Sequence, residues 1–229
     1  MDPTRPYDPA NDAQTAVVKG VEQRMDEVTK DGRLPRFHRE KVYGLTAIAG
    51  DSVLMAAPLA LLAPLAVELV GDAALTPIAP FANALGTRVQ AGADFLRVLS
   101  VQLDGWAVSV DGALEVDAAG YALALNPHAR RSVFAPVVFD GPGDGGHRLD
   151  CFPAATDPAA DTNTVRVVRR QRPEAVAAAS PTLYDAVLWA GAGAVLEAEK
   201  YGARAAVAQA RAASVLTALA SGAVPAGTA

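Results

Sequence analysis

The sequence predicts an α+β protein: a helical bundle frame, made by N-terminal and C-terminal helices, with an inserted small antiparallel β-sandwich or barrel domain. Three observations predict it. Val17, Val21, Met25 and Val28 recur at helical spacing near the start of the chain. The run Phe95 to Leu103 has strand character, alternates in its second half, and ends in Asp104-Gly105, a pair suited to a tight turn. A small-residue helical pair, Ser180 to Gly222, closes the chain.

Taken in order, residues 1–12 read as an extended N-terminal arm, because Pro3, Pro6 and Pro9 remove helix donors and bias their neighbours to extended geometry. Residues 13–92 form the N-terminal helical region. Its first helix is capped by Asn11 or Asp12 and ended by Gly32. A second begins at Pro35 and continues through Val42, Leu45 and Ile48. Between Pro58 and Gly92 the signals conflict: Pro64, Pro77 and Pro80 punctuate Leu- and Ala-rich stretches, and no element is assigned there.

Residues 93–175 form the β-rich inserted domain. After Asp104-Gly105, Trp106 to Val110 is the natural return strand. Leu114 to Val116, Ser132 to Phe139, Arg148 to Phe152 and Thr164 to Arg169 are further strands between Gly-, Pro- and Asp-rich turns. Ser180-Pro181, a cap and a first-turn proline, opens the C-terminal pair over 180–222. Gly202 divides the two helices, and 223–229 is a small-residue tail.

Composition excludes several classes of function. With 20 Lys and Arg against 25 Asp and Glu, the formal charge is -5. That balance opposes any global attraction to DNA phosphates or anionic lipid. The single cysteine, Cys151, permits no intrachain disulfide and no thiol cluster for a metal. The N-terminus lacks the basic and then apolar run of a signal peptide. Val53 to Val67 is apolar, but as helix it spans roughly 22 Å against the roughly 30 Å of hydrocarbon, and Pro58 and Pro64 interrupt it. It reads as a core or subunit-contact segment, so no membrane partner is expected.

The motifs point away from catalysis. Asp140 to Arg148 holds the glycine spacing of a phosphate loop, but His147-Arg148 stand where Lys and Ser or Thr are needed, and a strand follows. The loop reads as a flexible hairpin tip. His38-Arg39-Glu40 resembles half of a zinc deaminase site without its cysteines. His38, His128 and His147 are scattered, no nucleophile elbow exists, and Asp157, Asp161 and Asn163 miss calcium-loop spacing. No catalytic, cofactor or metal residue is therefore assigned. The densest basic group, Arg166, Arg169, Arg170 and Arg172 with Arg130, Arg131 and Arg148 in neighbouring strands, is a candidate contact for DNA or an acidic partner. Such strand charges also discourage edge pairing.

The chain resembles the head-to-tail adaptor (connector) proteins of tailed bacteriophages, especially those of short-tailed, podovirus-like phages. Ala93 to Gly105 is similar to the family's "P-A-D-F-L-x-V-x-S-V-x-x-D-G", with Gly92 in place of the proline. Phe152-Pro153 matches a strand ending in aromatic-Pro, and Thr164 to Arg170 the strand that follows. Pro181 to Ala190 looks like the "P-x-L-Y-x-A-x-x-x-A" helix that precedes a final Ala-rich one. The match is good over the C-terminal part of the chain and rests on element order alone before it. The resemblance implies a virion structural protein in the neck of the particle, assembled in the host cytoplasm. It implies a homo-oligomeric ring of about twelve copies under the portal protein, above a downstream tail or nozzle protein, with a channel for transient DNA passage. The arm and the tail are candidate docking segments. The alternatives are another neck or tail-tube component, or a carbohydrate-binding accessory module using Trp106 and Tyr121 as a platform beside Asp104 and Asp111.

Overall fold

The computed structural model describes residues 7–29, 37–69, 75–80, 83–116, 118–129 and 131–221. In chain order these form α1 (Asp12–Glu27), α2 (Arg39–Ala56), α3 (Leu59–Leu62), a 3₁₀ turn (Ala63–Leu65), β1 (Ala66–Glu68), β2 (Thr76–Ile78), β3 (Gly86–Gly92) and β4 (Phe95–Gln102). They continue with β5 (Leu114–Glu115), α4 (Ala118–Ala124), β6 (Val137–Gly143), β7 (Gly146–Phe152), β8 (Thr164–Arg169), α5 (Pro173–Ala179), α6 (Pro181–Ala198) and α7 (Gly202–Ala220). The protein is thus α+β. It divides into two compact units: a β unit, Ala66–Arg170, and a helical unit made by the stretches on either side, up to Leu65 and from Gln171 onward.

In the helical unit, the Asn11 side chain accepts from Ala13 N and Gln14 N at 3.0 and 3.3 Å and so caps α1. Val17, Val18, Val21 and Met25 of α1 are buried together with Val42 and Tyr43 of α2. α6 is the central helix, packed against α1, α2, α5 and α7. It is largely apolar, as the helix that most of its unit packs against must be: Leu183, Val187, Trp189, Val195 and Leu196 are buried, and its charges, Asp185 and Glu197, lie near its two ends. α7 contributes only alanines to the buried set, Ala205, Ala208 and Ala212.

The β unit holds a three-stranded sheet, order β1-β8-β4, and a five-stranded sheet, order β2-β3-β7-β6-β5. Both draw on one core: Val89, Val138, Leu149 and Cys151 from the larger sheet meet Phe95, Val98, Val101, Val165 and Val167 from the smaller. β5 runs parallel to β6, and every other paired strand is antiparallel. Both sheets are open, so the barrel form of the expectation is corrected to two separate sheets.

The expected boundaries shift. The β unit begins at Ala66 and not at residue 93, because β1, β2 and β3 belong to it, and the apolar run Val53 to Val67 is broken near its prolines into the end of α2, α3, the 3₁₀ turn and β1. It ends at Arg170, and α5 begins three residues later. Trp106 to Val110 forms no return strand. The turn at Gly105 exists, with φ +83, but only an isolated bridge, Val101 to Val110, follows, and β4 is paired instead with β8. Ser132 to Phe139 becomes strand only from Val137. Ser180 occupies the cap position of α6 without a side-chain hydrogen bond. Gly32, Pro35, the start of the arm and the tail 223–229 lie outside the described residues. Within those described, no helix is long and apolar enough to cross a membrane.

Candidate functional site and contact surfaces

The strand register decides where the arginines go. Arg88 of β3 stands opposite Asp150 of β7, and Gln90 opposite Arg148, so all four share one face of the five-stranded sheet. Asp150 is 1 % exposed. Arg88 donates Nε to its Oδ1 at 2.7 Å and Nη2 to its Oδ2 at 3.1 Å, a bidentate grip. Arg148 Nε lies 3.3 Å from Oδ2, and the Tyr121 hydroxyl of α4 donates to the same oxygen.

Burial alone pushes the Asp150 carboxyl up, but hydrogen bonds from Arg88 and Tyr121 and the charges of Arg88 and Arg148 outweigh it, so the group sits below its ordinary value. Tyr121 is pushed up, first by burial and then by Asp150. This centre ties α4 to the sheet, beside the mutually packed rings of Tyr121, Phe139 and Phe152.

The arginines singled out from the sequence, where described, have separate local settings. Arg148 binds Asp150. Arg131 donates to the carbonyls of Ala124 and Asn126 and closes the end of α4, its guanidinium over the Phe152 ring at 5.9 Å. Arg169 reaches Asp94 at 3.5 Å. Arg166 is exposed on β8, in register with Glu68 and Ser100, and Arg170 follows it, exposed, at the strand's end. Arg172 belongs to the helical unit, 3.9 Å from Glu174. Arg130 lies outside the described residues.

Arg88 and Asp150 were missed. Their signal is the alternation Thr87-Arg88-Val89-Gln90-Ala91, and a lone carboxylate within the otherwise apolar end of β7.

The remaining motifs are structural. Asp140 to Arg148 is the β6–β7 hairpin, with its turn at Asp144-Gly145; Gly145 has φ +79, and no helix follows. His147 Nδ1 bonds Asp140 at 2.9 Å. Cys151 is fully buried, which pushes its thiol up, with Asp150 adding to the rise, and leaves it an unreactive core side chain. Trp106 is buried and donates Nε1 to Pro153 O at 3.0 Å, which takes away the platform of the carbohydrate reading. Asp104 binds a neighbouring loop, accepting from Thr162 Oγ1 at 3.1 Å and Asp157 N at 3.2 Å. Among the described residues, no group of three His, Cys, Asp or Glu is placed to hold a metal.

Apolar surface is the other feature. In the β unit a cavity of about 450 Å³ is floored by Phe139 and Phe152 and edged by Leu123 and Arg131, with Phe134 exposed nearby. In the helical unit a groove of about 400 Å³ runs between α2, α6 and α7. Exposed apolar surface of this kind marks either a protein–protein contact or a ligand-binding groove. No protein-family model matches this chain, and no curated protein matches it.

Proposed function

We propose that this protein is a structural component of a tailed-phage particle, a head-to-tail adaptor. It forms a homo-oligomeric ring of about twelve copies beneath the portal, joins the capsid to the tail or nozzle, and leaves a channel through which DNA passes. The particle's neck is its final location and the host cytoplasm its place of assembly. In this reading the helices flanking the β unit act as a bundle frame.

One observation carries the proposal: the segments that resemble the adaptor family fall, in family order, on discrete elements of a β unit inserted into a helical one. Ala93 to Gly105 spans the β3–β4 turn, β4 and the following turn. Phe152 ends β7, Thr164 to Arg170 is β8 with one further residue, and Pro181 to Ala190 is the first half of the central helix. The net charge of -5 suits a channel wall that must not hold its DNA.

The test is to mix the full chain with portal-bearing capsids and to record native mass spectra and electron micrographs. Ring density below the portal is the expected result, and its position separates an adaptor from a tail-tube component. A chain that stays monomeric and shows no affinity for the portal overturns the proposal.

A further inference from the structure

We infer that the groove between α2, α6 and α7 receives the outward ridge of α7 from a second copy, so that helical units join head to tail. This rests on the ring reading and names the surfaces that make the ring.

The groove exists because α2 and α7 both pack on α6 but barely on each other. Its floor is Ala190 and Ala194 of α6, and its walls are Leu45 and Ile48 of α2 and Ala213 and Leu216 of α7. Ile48 is 68 % exposed, an aliphatic side chain left in water at the rim. Burying it removes apolar area from solvent.

The ridge is the opposite peculiarity. Ala203, Ala206, Val207, Ala210, Ser214 and Thr217 recur every three or four residues along α7, and all are exposed. A solvent-facing helix of 19 residues ordinarily sets charges on that face. α7 has two charged residues, and both guanidiniums lie over rings of their own unit: Arg204 at 5.5 Å from the Tyr201 centroid and Arg211 at 5.1 Å from that of Trp189. The face left outward is small and uncharged, which lets another helix approach closely and suits a narrow, alanine-floored groove.

Charge decides the occupant. The charged residue lining the groove is acidic, Glu197, whereas α7 from Gly202 to Ala220 holds two arginines and no acid. Glu197 accepts from Gln209 Nε2 of its own subunit at 3.0 Å and keeps its negative charge, and a second α7, whose two charges are both positive and lie beside its ridge, brings no acid to that rim. Ridge and groove are different surfaces of one subunit, so the contact is heterologous and repeats until it closes on itself.

Ile48→Glu disables the groove and Ala210→Glu disables the ridge; both positions are exposed, and retained folding is checked by circular-dichroism melting. By native mass spectrometry of the full chain, each variant alone is expected to weaken self-association by about a hundredfold. An equimolar mixture should then form a single 1:1 pair, the ridge of the Ile48→Glu chain in the groove of the Ala210→Glu chain. Variants that assemble like the wild type overturn the inference and leave the ring reading standing, as does a mixture that forms no pair. A wild type that remains monomeric, alone and with portal-bearing capsids, overturns both.

Discussion

Gly191 of α6 stands so close to Thr46 of α2 that a Cβ placed on the glycine would lie 2.6 Å from Thr46 Oγ1 and 3.0 Å from Thr46 Cβ. Thr46 is fully buried, and its hydroxyl is committed to Val42 O at 2.7 Å. Alanine is favoured over glycine within a helix by about 1 kcal/mol, but overpacking here acts against it. Gly191→Ala is expected to lower stability by about 2 kcal/mol in urea unfolding. Adding Thr46→Ala should recover most of that loss, a coupling that a double-mutant cycle measures. Additive effects of the two changes would show that the helices can separate without cost.

The Asp150–Arg88 pair sets an acid limit on the β unit. A carboxyl whose folded value is depressed stabilises the fold fully above its unfolded value, about 4, and loses that contribution as pH falls through the folded value. Asp150→Asn leaves Arg88 and Arg148 without their counter-charge and is expected to cost about 3 kcal/mol at pH 7. The gap between wild type and variant should narrow below about pH 4. Parallel curves over that range would dismiss Asp150 as the source of acid sensitivity.

Tyr43 gives the helical unit the converse dependence. Its hydroxyl donates to both carboxylate oxygens of Glu174, at 3.0 and 2.8 Å, and Gln14 Nε2 donates to Oε1 at 3.3 Å, so α1, α2 and α5 meet at one carboxylate. Burial first, and Glu174 second, push the phenol well above its usual value. A raised value stabilises the fold below the unfolded pKa, about 10, and the contribution fades as pH rises beyond it. Tyr43→Phe should cost about 1.5 kcal/mol at pH 7 and flatten the alkaline limb of a pH-stability profile.

Elements whose signal is local were legible in the chain. α1, α6 and α7 show their helical period and their punctuation, Asn11, Pro181 and Gly202, within a single window, and β8 begins and ends where its β-branched run does. β3 was hidden, although Thr87-Arg88-Val89-Gln90-Ala91 alternates, because prolines and alanines around it obscure the change of period. The arginines show the deeper reason. Whether Arg131 faces a partner or closes α4 depends on a seven-residue helix that sequence patterning did not reveal. That Arg88 meets Asp150 depends on a pairing across 62 positions. Spacing along the chain carries neither fact, since strand register is settled by which faces bury.

The end of α6 supplies a stabilising substitution. Tyr201 N donates to Leu196 O at 2.8 Å and Lys200 N to Glu197 O at 2.9 Å, the paired bonds that close a helix through a left-handed residue. That residue is Lys200, with φ +67, where glycine is the ordinary occupant. The left-handed conformation costs an L-residue about 1 kcal/mol or more, and glycine's greater freedom in the unfolded chain offsets part of the relief. Lys200→Gly is therefore expected to raise stability by about 0.5 kcal/mol. Lys200→Val, β-branched and less tolerant of positive φ, should lower it by more than that gain. Opposite shifts in the thermal midpoints of the two variants check the argument, and shifts of the same sign would show that the lysine side chain, and not the backbone, holds this corner.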